Sequence, residues 1–200
     1  MTGPLLVLAG YLAGSIPVGL LVGRAYGIDI RTRGSGNIGA ANVLRTLGRA
    51  AGAVTLAGDF LKGFVPVLVA RLLLLDERWA IGAAATALVG ASYSLFLRFK
   101  GGKGVATALG VLAALAWEMA LLGVLIYAPL VALTRISAIG SLSAAAALPV
   151  AAFFLYPRDL VPNRFQFILL ASLLVFWRHR DNIRRLLAGT EQKLDQKTAP

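Results

Sequence analysis

Apolar runs about as long as a bilayer is thick recur along this chain and leave few folds open to it. Pro4 to Val22, Ala50 to Leu74, Trp79 to Leu97, Val105 to Leu133, Ala138 to Tyr156 and Phe165 to Trp177 are each dominated by aliphatic, aromatic and small residues. About 20 apolar residues in a helix cross the hydrocarbon core, and lipid offers no partner to backbone groups outside a helix or a closed barrel. With 58% of its 200 residues hydrophobic and 14% charged, the chain is more apolar than a soluble domain of its size needs. The expectation is an all-α, polytopic membrane helix bundle. The first run has no basic stretch before it and no clean small-residue cleavage site after it, so it reads as a retained span and not as a signal peptide.

Charge decides how the runs are threaded. Val105 to Leu133 is too long for one ordinary span, and Glu118 lies in its middle. Reading it as two helices that turn near Glu118 gives seven transmembrane helices, one of them short, with the N-terminus outside and the C-terminus cytoplasmic. Arg24, Arg31, Arg33, Arg45, Arg49, Arg98, Lys100, Lys103, Arg135 and the basic run from Arg178 to Lys197 then share the inner side. The outer side keeps Arg71, Arg78, Arg158 and Arg164, balanced by Asp76, Glu77, Glu118 and Asp159, while Lys62 falls within a span. This is the asymmetry of the positive-inside rule. The formal charge of +11 is thus mostly topology, and nucleic acid loses its main support as a partner. With no cysteine and one histidine, disulfides, thiolate sites and multi-histidine metal centres are excluded. Neither a metal nor a cofactor is expected.

Three inward segments are unlike ordinary membrane loops. The first, Gly34-Ser35-Gly36-Asn37-Ile38-Gly39-Ala40-Ala41-Asn42, has glycines that let backbone N–H groups close around an anion, with Arg45 and Arg49 adding charge at helical spacing. It also fits GxGxxG, with Asp59 about 20 residues on as a ribose-binding acid would be. A dinucleotide site is rejected, because a membrane span and not a strand precedes the glycines. The second, Gly101-Gly102-Lys103-Gly104, opens a helix whose free N–H donors and dipole favour anions; its spacing is not that of a Walker A loop. In the third, His179, Asn182 and Arg185 are spaced to share one helical face. The blander readings are a flexible turn, a basic membrane anchor and an interfacial histidine. Asp59 and Lys62, three apart within a span, are expected to neutralise each other. Gly10 and Gly14, then Gly19 and Gly23, are small-xxx-small pairs suited to close helix packing.

At these residues the chain resembles the bacterial PlsY family of membrane acyltransferases. GSGNIGAANVLRTLG, GDFLKGFVPV, FKGGKGVAT and HRDNIRRLLAGTE occur in the family's order over nearly the whole chain. The resemblance implies a bacterial inner-membrane enzyme of seven helices with its active site facing the cytoplasm. It implies transfer of a fatty acyl group from acyl-phosphate to the 1-hydroxyl of sn-glycerol 3-phosphate, without acyl-CoA or acyl-carrier protein as direct donor. The catalytic candidates are Ser35, Arg45, Lys103, His179 and Asn182. The substrate-binding candidates are Gly34, Gly36, Asn37, Gly39, Asn42, Arg49, Gly101, Gly102, Gly104 and Ser141. Residues 1–188 would form the membrane-embedded catalytic domain and residues 189–200 a loose, polar cytoplasmic tail. The chain departs from the family pattern at Ala41, where a hydroxyl is usual, at Asp181, where Glu is usual, and at Ala91 to Ser94, which lack a histidine and a proline. A hydrolytic triad of Ser35, His179 and Asp181 is disfavoured by the two-residue spacing of the last pair. A small transporter or channel for phosphate or a phosphate ester, and an inactive scaffold, remain as alternatives.

Overall fold

The computed structural model describes residues 2–73, 76–156 and 163–196. Leu74 at the end of the second apolar run, and the charges Arg158, Asp159 and Lys197, lie outside the described residues. Those described form helices joined by loops: α1 (Thr2–Ser15), α2 (Val18–Ala25), α3 (Ala40–Leu47), α4 (Arg49–Leu73), α5 (Glu77–Ser92), α6 (Val105–Leu115), α7 (Trp117–Thr134), α8 (Ser137–Leu155), α9 (Arg164–Arg178) and α10 (Arg180–Leu187). Five helical stretches, α1 with α2, α4, α5 with the turn after it, α7 and α8, are long and apolar enough to cross a membrane; α6 is shorter. Much of the outward surface is apolar, as at Leu133 and Phe154, which are 83% and 79% exposed. In lipid such residues meet acyl chains and not water.

The first apolar run is not one continuous helix. It breaks between Ser15 and Val18, because Pro17 has no N–H to donate and its ring clashes with a helical carbonyl. Side chains from elsewhere take up the freed backbone groups: Lys62 Nζ donates to the carbonyl of Ile16 at 3.1 Å and Ser94 Oγ to that of Ser15 at 2.5 Å. The long run from Val105 to Leu133 splits at Ala116, close to the turn expected near Glu118. There Arg71 donates to the carbonyl of Ala114, and Tyr156 hydrogen-bonds Glu118. The third run ends its α-helix at Ser92 and continues as a single 3-10 turn over Leu95–Leu97.

Small residues set how closely the helices pack. A Cβ on Gly10 or Gly14 would press into the backbone of Ala83 or Ala87, so α1 and α5 lie nearly backbone to backbone. At the crossing of α4 with α6, Gly63 meets Thr107 and Gly110 meets Phe60 in the same way. Behind these contacts Val67, Ala84, Val111, Leu115, Met119 and Ile168 form a buried core between α4, α5, α6, α7 and α9.

Asp59 and Lys62 form an ion pair of 2.7 Å with side chains 14% and 7% exposed. Neither charge is tolerable there alone, and Lys62 also holds the α1–α2 break. Lys62→Met should therefore lower stability by about 3 kcal/mol or more, because it strands a buried carboxylate. The double change Asp59→Asn with Lys62→Met should recover most of that loss. Thermal unfolding in detergent micelles measures both.

Candidate active site

The loop before α3 is organised by one amide. Asn42, 1% exposed, donates from Nδ2 to the carbonyls of Asn37 at 2.8 Å, Arg33 at 3.0 Å and Ile30 at 3.3 Å. Its Oδ1 accepts the N–H of Ser35 at 2.9 Å. Asn37 in turn accepts the N–H of Gly39 through its own Oδ1 at 2.8 Å. Gly34 and Gly36 adopt φ of 55° and 69°, left-handed conformations that cost glycine nothing. The loop so held presents the Ser35 hydroxyl, which accepts from Arg45 Nη2 at 3.3 Å. Arg45 Nε is buried and has no partner among the described residues, a donor left for something else.

The second loop is strapped to the end of α5. Gly101 and Gly102 donate their N–H groups to the carbonyls of Ser92 and Ala91 at 3.2 and 2.9 Å. Arg178 clamps the same loop from α9, its Nε donating to the Gly102 carbonyl at 3.0 Å and Nη2 to that of Gly101 at 2.8 Å. A Cβ on Gly101 would collide with the Ser92 carbonyl carbon at 2.8 Å, so only glycine permits this approach. Gly104, at φ 73°, turns the chain into α6. Lys103 stands between them, its ammonium pulled down to about 8 by burial, with Arg185, Arg45 and Arg178 pushing the same way and Glu191 opposing.

His179, 2% exposed, stands at the break between α9 and α10, and Asn182, 3% exposed, in the first turn of α10. His179 Nδ1 lies 2.8 Å from the Val175 carbonyl. A carbonyl only accepts, so Nδ1 carries the proton and Nε2 is left as the acceptor. Burial, then the Lys103 charge, holds the imidazole down to about 4, so it is neutral at pH 7. Asn182 Nδ2 donates to Glu191 Oε1 at 2.6 Å, which turns Oδ1 away from the carboxylate; that oxygen is buried and has no partner among the described residues. Arg185 Nε donates to Glu191 Oε2 at 2.7 Å. Asp181 is exposed and 3.5 Å from Arg184, which removes the triad reading.

These parts line one cleft of about 610 Å³. Ser35, Asn37, Gly39, Asn42, Arg45, Arg49, Gly102, Lys103, Gly104, Ser141, His179 and Asn182 all border it. The three polar segments of the sequence thus meet at one end of the bundle. Gly34, Gly36 and Gly101 do not border the cleft; they shape the loops that do. Asn42 borders it, but the backbone takes up its amide hydrogens. Ser141 Oγ donates to the Ser137 carbonyl at 3.0 Å, one turn back on α8. Below the polar mouth the cleft continues as an apolar groove between α4, α6, α7, α8 and α9. Leu56 and Val124 border it and yet are 49% and 41% exposed, so it opens sideways where lipid would lie.

Glu191 is the functional candidate that sequence reasoning passes over, together with Gln192 and the clamp residue Arg178. The expected loose tail is not loose over its described part. Thr190 N–H bonds the Arg185 carbonyl at 2.8 Å, Leu194 N–H bonds that of Arg135 at 2.7 Å, and Glu191 is drawn into the cleft by Asn182 and Arg185. The first acid after a strongly basic helix is the available signal.

Comparison with known proteins agrees with this arrangement. The family model described as glycerol-3-phosphate acyltransferase matches residues 4–189. A glycerol-3-phosphate acyltransferase of Geobacter metallireducens is 52% identical over 94% of this chain and 96% of its own length, and that of Geotalea daltonii 48% over 93% and 94%. Two crystal structures of PlsY, an integral membrane glycerol 3-phosphate acyltransferase, superpose closely. Its glycerol 3-phosphate form gives a TM-score of 0.90 at 36% identity, covering 96% of each chain. Its lysophosphatidic acid form gives 0.87 at 35%, covering 96% of this chain and 95% of that one. From near its first span to the end of α10, this chain belongs to the glycerol-3-phosphate acyltransferase family.

Proposed function

We propose that this protein transfers a fatty acyl group from acyl-phosphate to the 1-hydroxyl of sn-glycerol 3-phosphate, giving lysophosphatidic acid and phosphate. The observation that carries the reading is the continuity of one cleft: a cationic mouth holding Arg45, Lys103, His179 and Asn182 runs into an apolar groove. A substrate with a phosphate head and an alkyl tail fills both parts, and a second, short phosphate ester fits the mouth beside it.

In this scheme Arg45, with its unpartnered Nε, and the loop presenting Ser35 hold the donor phosphate. Lys103 and the start of α6 hold glycerol 3-phosphate. The orphan Asn182 Oδ1 accepts from a glycerol hydroxyl, and His179 Nε2 accepts from the attacking one. The hydroxyl oxygen bonds the acyl carbon as the bond from that carbon to the phosphate oxygen breaks. The departing phosphate gains basicity and takes the proton, so the reaction balances without a separate base. An imidazole held near 4 is too weak a base to keep that proton and serves to aim the hydroxyl. Catalysis rests on positioning two anions and stabilising charge on the acyl oxygen.

We further propose seven crossings, with α1 and α2 forming the first and α6 the short one, and with the cleft facing the cytoplasm of a bacterial inner membrane. The basic residues near the cleft end, Arg24, Arg31, Arg49, Arg98, Lys100, Arg135 and Arg180 among them, support that orientation. Transport of phosphate calls for polar groups near the bilayer midplane. Here the charges that line the cleft below the mouth, Asp59 and Lys62 in the middle of α4, neutralise each other at 2.7 Å, and the groove around them is walled by Leu112, Leu148 and Ile168.

Purified protein given palmitoyl-phosphate and glycerol 3-phosphate should release phosphate and lysophosphatidic acid, and palmitoyl-CoA should not replace the donor. Arg45→Ala and Lys103→Ala should each lower kcat/KM by about a hundredfold. A requirement for acyl-CoA, or full activity in both variants, overturns the scheme. Because Lys103 must be cationic to hold a phosphate and its ammonium sits at about 8, kcat/KM for glycerol 3-phosphate should fall as pH rises through that value. In Lys103→Arg, whose guanidinium stays charged, the alkaline limb should vanish from the pH profile.

A further inference from the structure

The groove has a defined depth. On α8 the residues lining the cleft run from Ser137 at the mouth to Leu148, and on the α9 side from His179 down to Phe167, while α7 contributes Tyr127, Val124 and Gly123. The α8 interval is about 16 Å of helix at the standard rise and the interval from His179 to Phe167 about 18 Å. Beyond it, all three helices continue without bordering the cleft. Leu148 is 7% and Phe167 6% exposed, and both belong to the packed core, so the groove ends on a solid wall. Gly123 is buried on the facing helix, where a Cβ would stand 3.6 Å from Leu148 Cδ1. That is ordinary contact, so a larger side chain there is tolerated at its root and extends into the end of the groove.

Half of a hydrocarbon core of about 30 Å is about 15 Å, the reach of one lipid chain in one leaflet. The groove is as deep as that chain is long. Resting on the acyltransferase reading above, we propose that Gly123, Leu148 and Phe167 form a floor that meets the terminal methyl and fixes the preferred acyl-chain length at that of a membrane lipid. The absence of a side chain at Gly123 sets the last part of this depth, and the Leu148 side chain closes it. Discrimination comes from misfit at the floor: a chain that is too long must bend or displace packed side chains, and one that is too short leaves a void.

The test compares kcat/KM for lauroyl-, palmitoyl- and stearoyl-phosphate with glycerol 3-phosphate in the full-length protein, Gly123→Leu and Leu148→Ala. The wild type should favour palmitoyl-phosphate. Gly123→Leu should lose about tenfold or more with palmitoyl-phosphate relative to lauroyl-phosphate, the scale of overpacking an apolar site. Leu148→Ala should move the other way, raising the ratio of stearoyl to palmitoyl turnover about threefold. Opposite shifts cannot come from general loss of folding, which lowers all three donors together. Active variants with the wild-type ratios overturn the floor and leave the acyltransferase reading intact. A wild type inactive with every acyl-phosphate overturns both.

Discussion

Half-buried cations gathered around the carboxylate of Glu191 set the character of the cleft mouth. Arg45, Lys103 and Arg185 act on one another from three separate segments, Arg178 adds to them, and Glu191 is the acid that opposes them. Like charges at close quarters in a medium poorer than water repel strongly. Burial first and this repulsion second lower the ammonium of Lys103, and burial followed by the Lys103 charge keeps the His179 imidazole neutral. Glu191 relieves part of the repulsion and does structural work as well, holding Arg185 back from the cleft and fixing which way the Asn182 amide faces. What remains is an excess of positive charge that two phosphate groups would neutralise, so the arrangement of the site favours anions.

Helix breaks are what deliver these groups to one place. In lipid every break frees backbone N–H and carbonyl groups that must find partners within the protein. Here Lys62 and Ser94 serve the break at Pro17, Arg71 serves the end of α6, and Arg178 serves the glycine loop that starts it. Of these, only the glycine loop, with the α9–α10 break at His179, opens onto the cationic mouth. Glycines at the α1–α5 and α4–α6 crossings bring backbones close enough that loops from the same end of the bundle interlock. The rigidity of the mouth is thus inherited from helix packing some distance below it.

Helices, their approximate limits and the three polar segments are legible in the sequence because each has a local cause. A span needs length and apolarity, and Ser35, Lys103 and His179 stand in polar stretches abutting such spans. The turn near Glu118 can be read from the length of its run together with the charge asymmetry of the loops, and the Asp59–Lys62 pair from the cost of leaving either charge unpaired. Division of labour within a motif cannot be read this way. Gly34, Gly36, Asn42 and Gly101 look like substrate contacts, but the first, second and fourth shape backbone and Asn42 spends its hydrogens on Ile30, Arg33 and Asn37. Glu191 is harder still. A residue in a polar tail reads as solvated, and only the tertiary contacts of Asn182 and Arg185 reveal a carboxylate that is 7% exposed.

A membrane setting also divides the binding energy between the two ends of the cleft. Water drives an alkyl chain into an apolar pocket, but a chain already dissolved in lipid gains little by moving into a groove of Leu, Phe and Val, because both surroundings are equally apolar. In the proposed scheme, affinity for the acyl donor therefore comes from its phosphate end, from Arg45 and the Ser35 loop. The groove is left to act through shape. Its sideways opening at Leu56 and Val124 lets a chain slide in from the bilayer without crossing water, and the walls then reward only a chain that fits. Recognition of the head by charge and of the tail by fit is the separation of roles expected where the solvent for half of the substrate is the membrane itself.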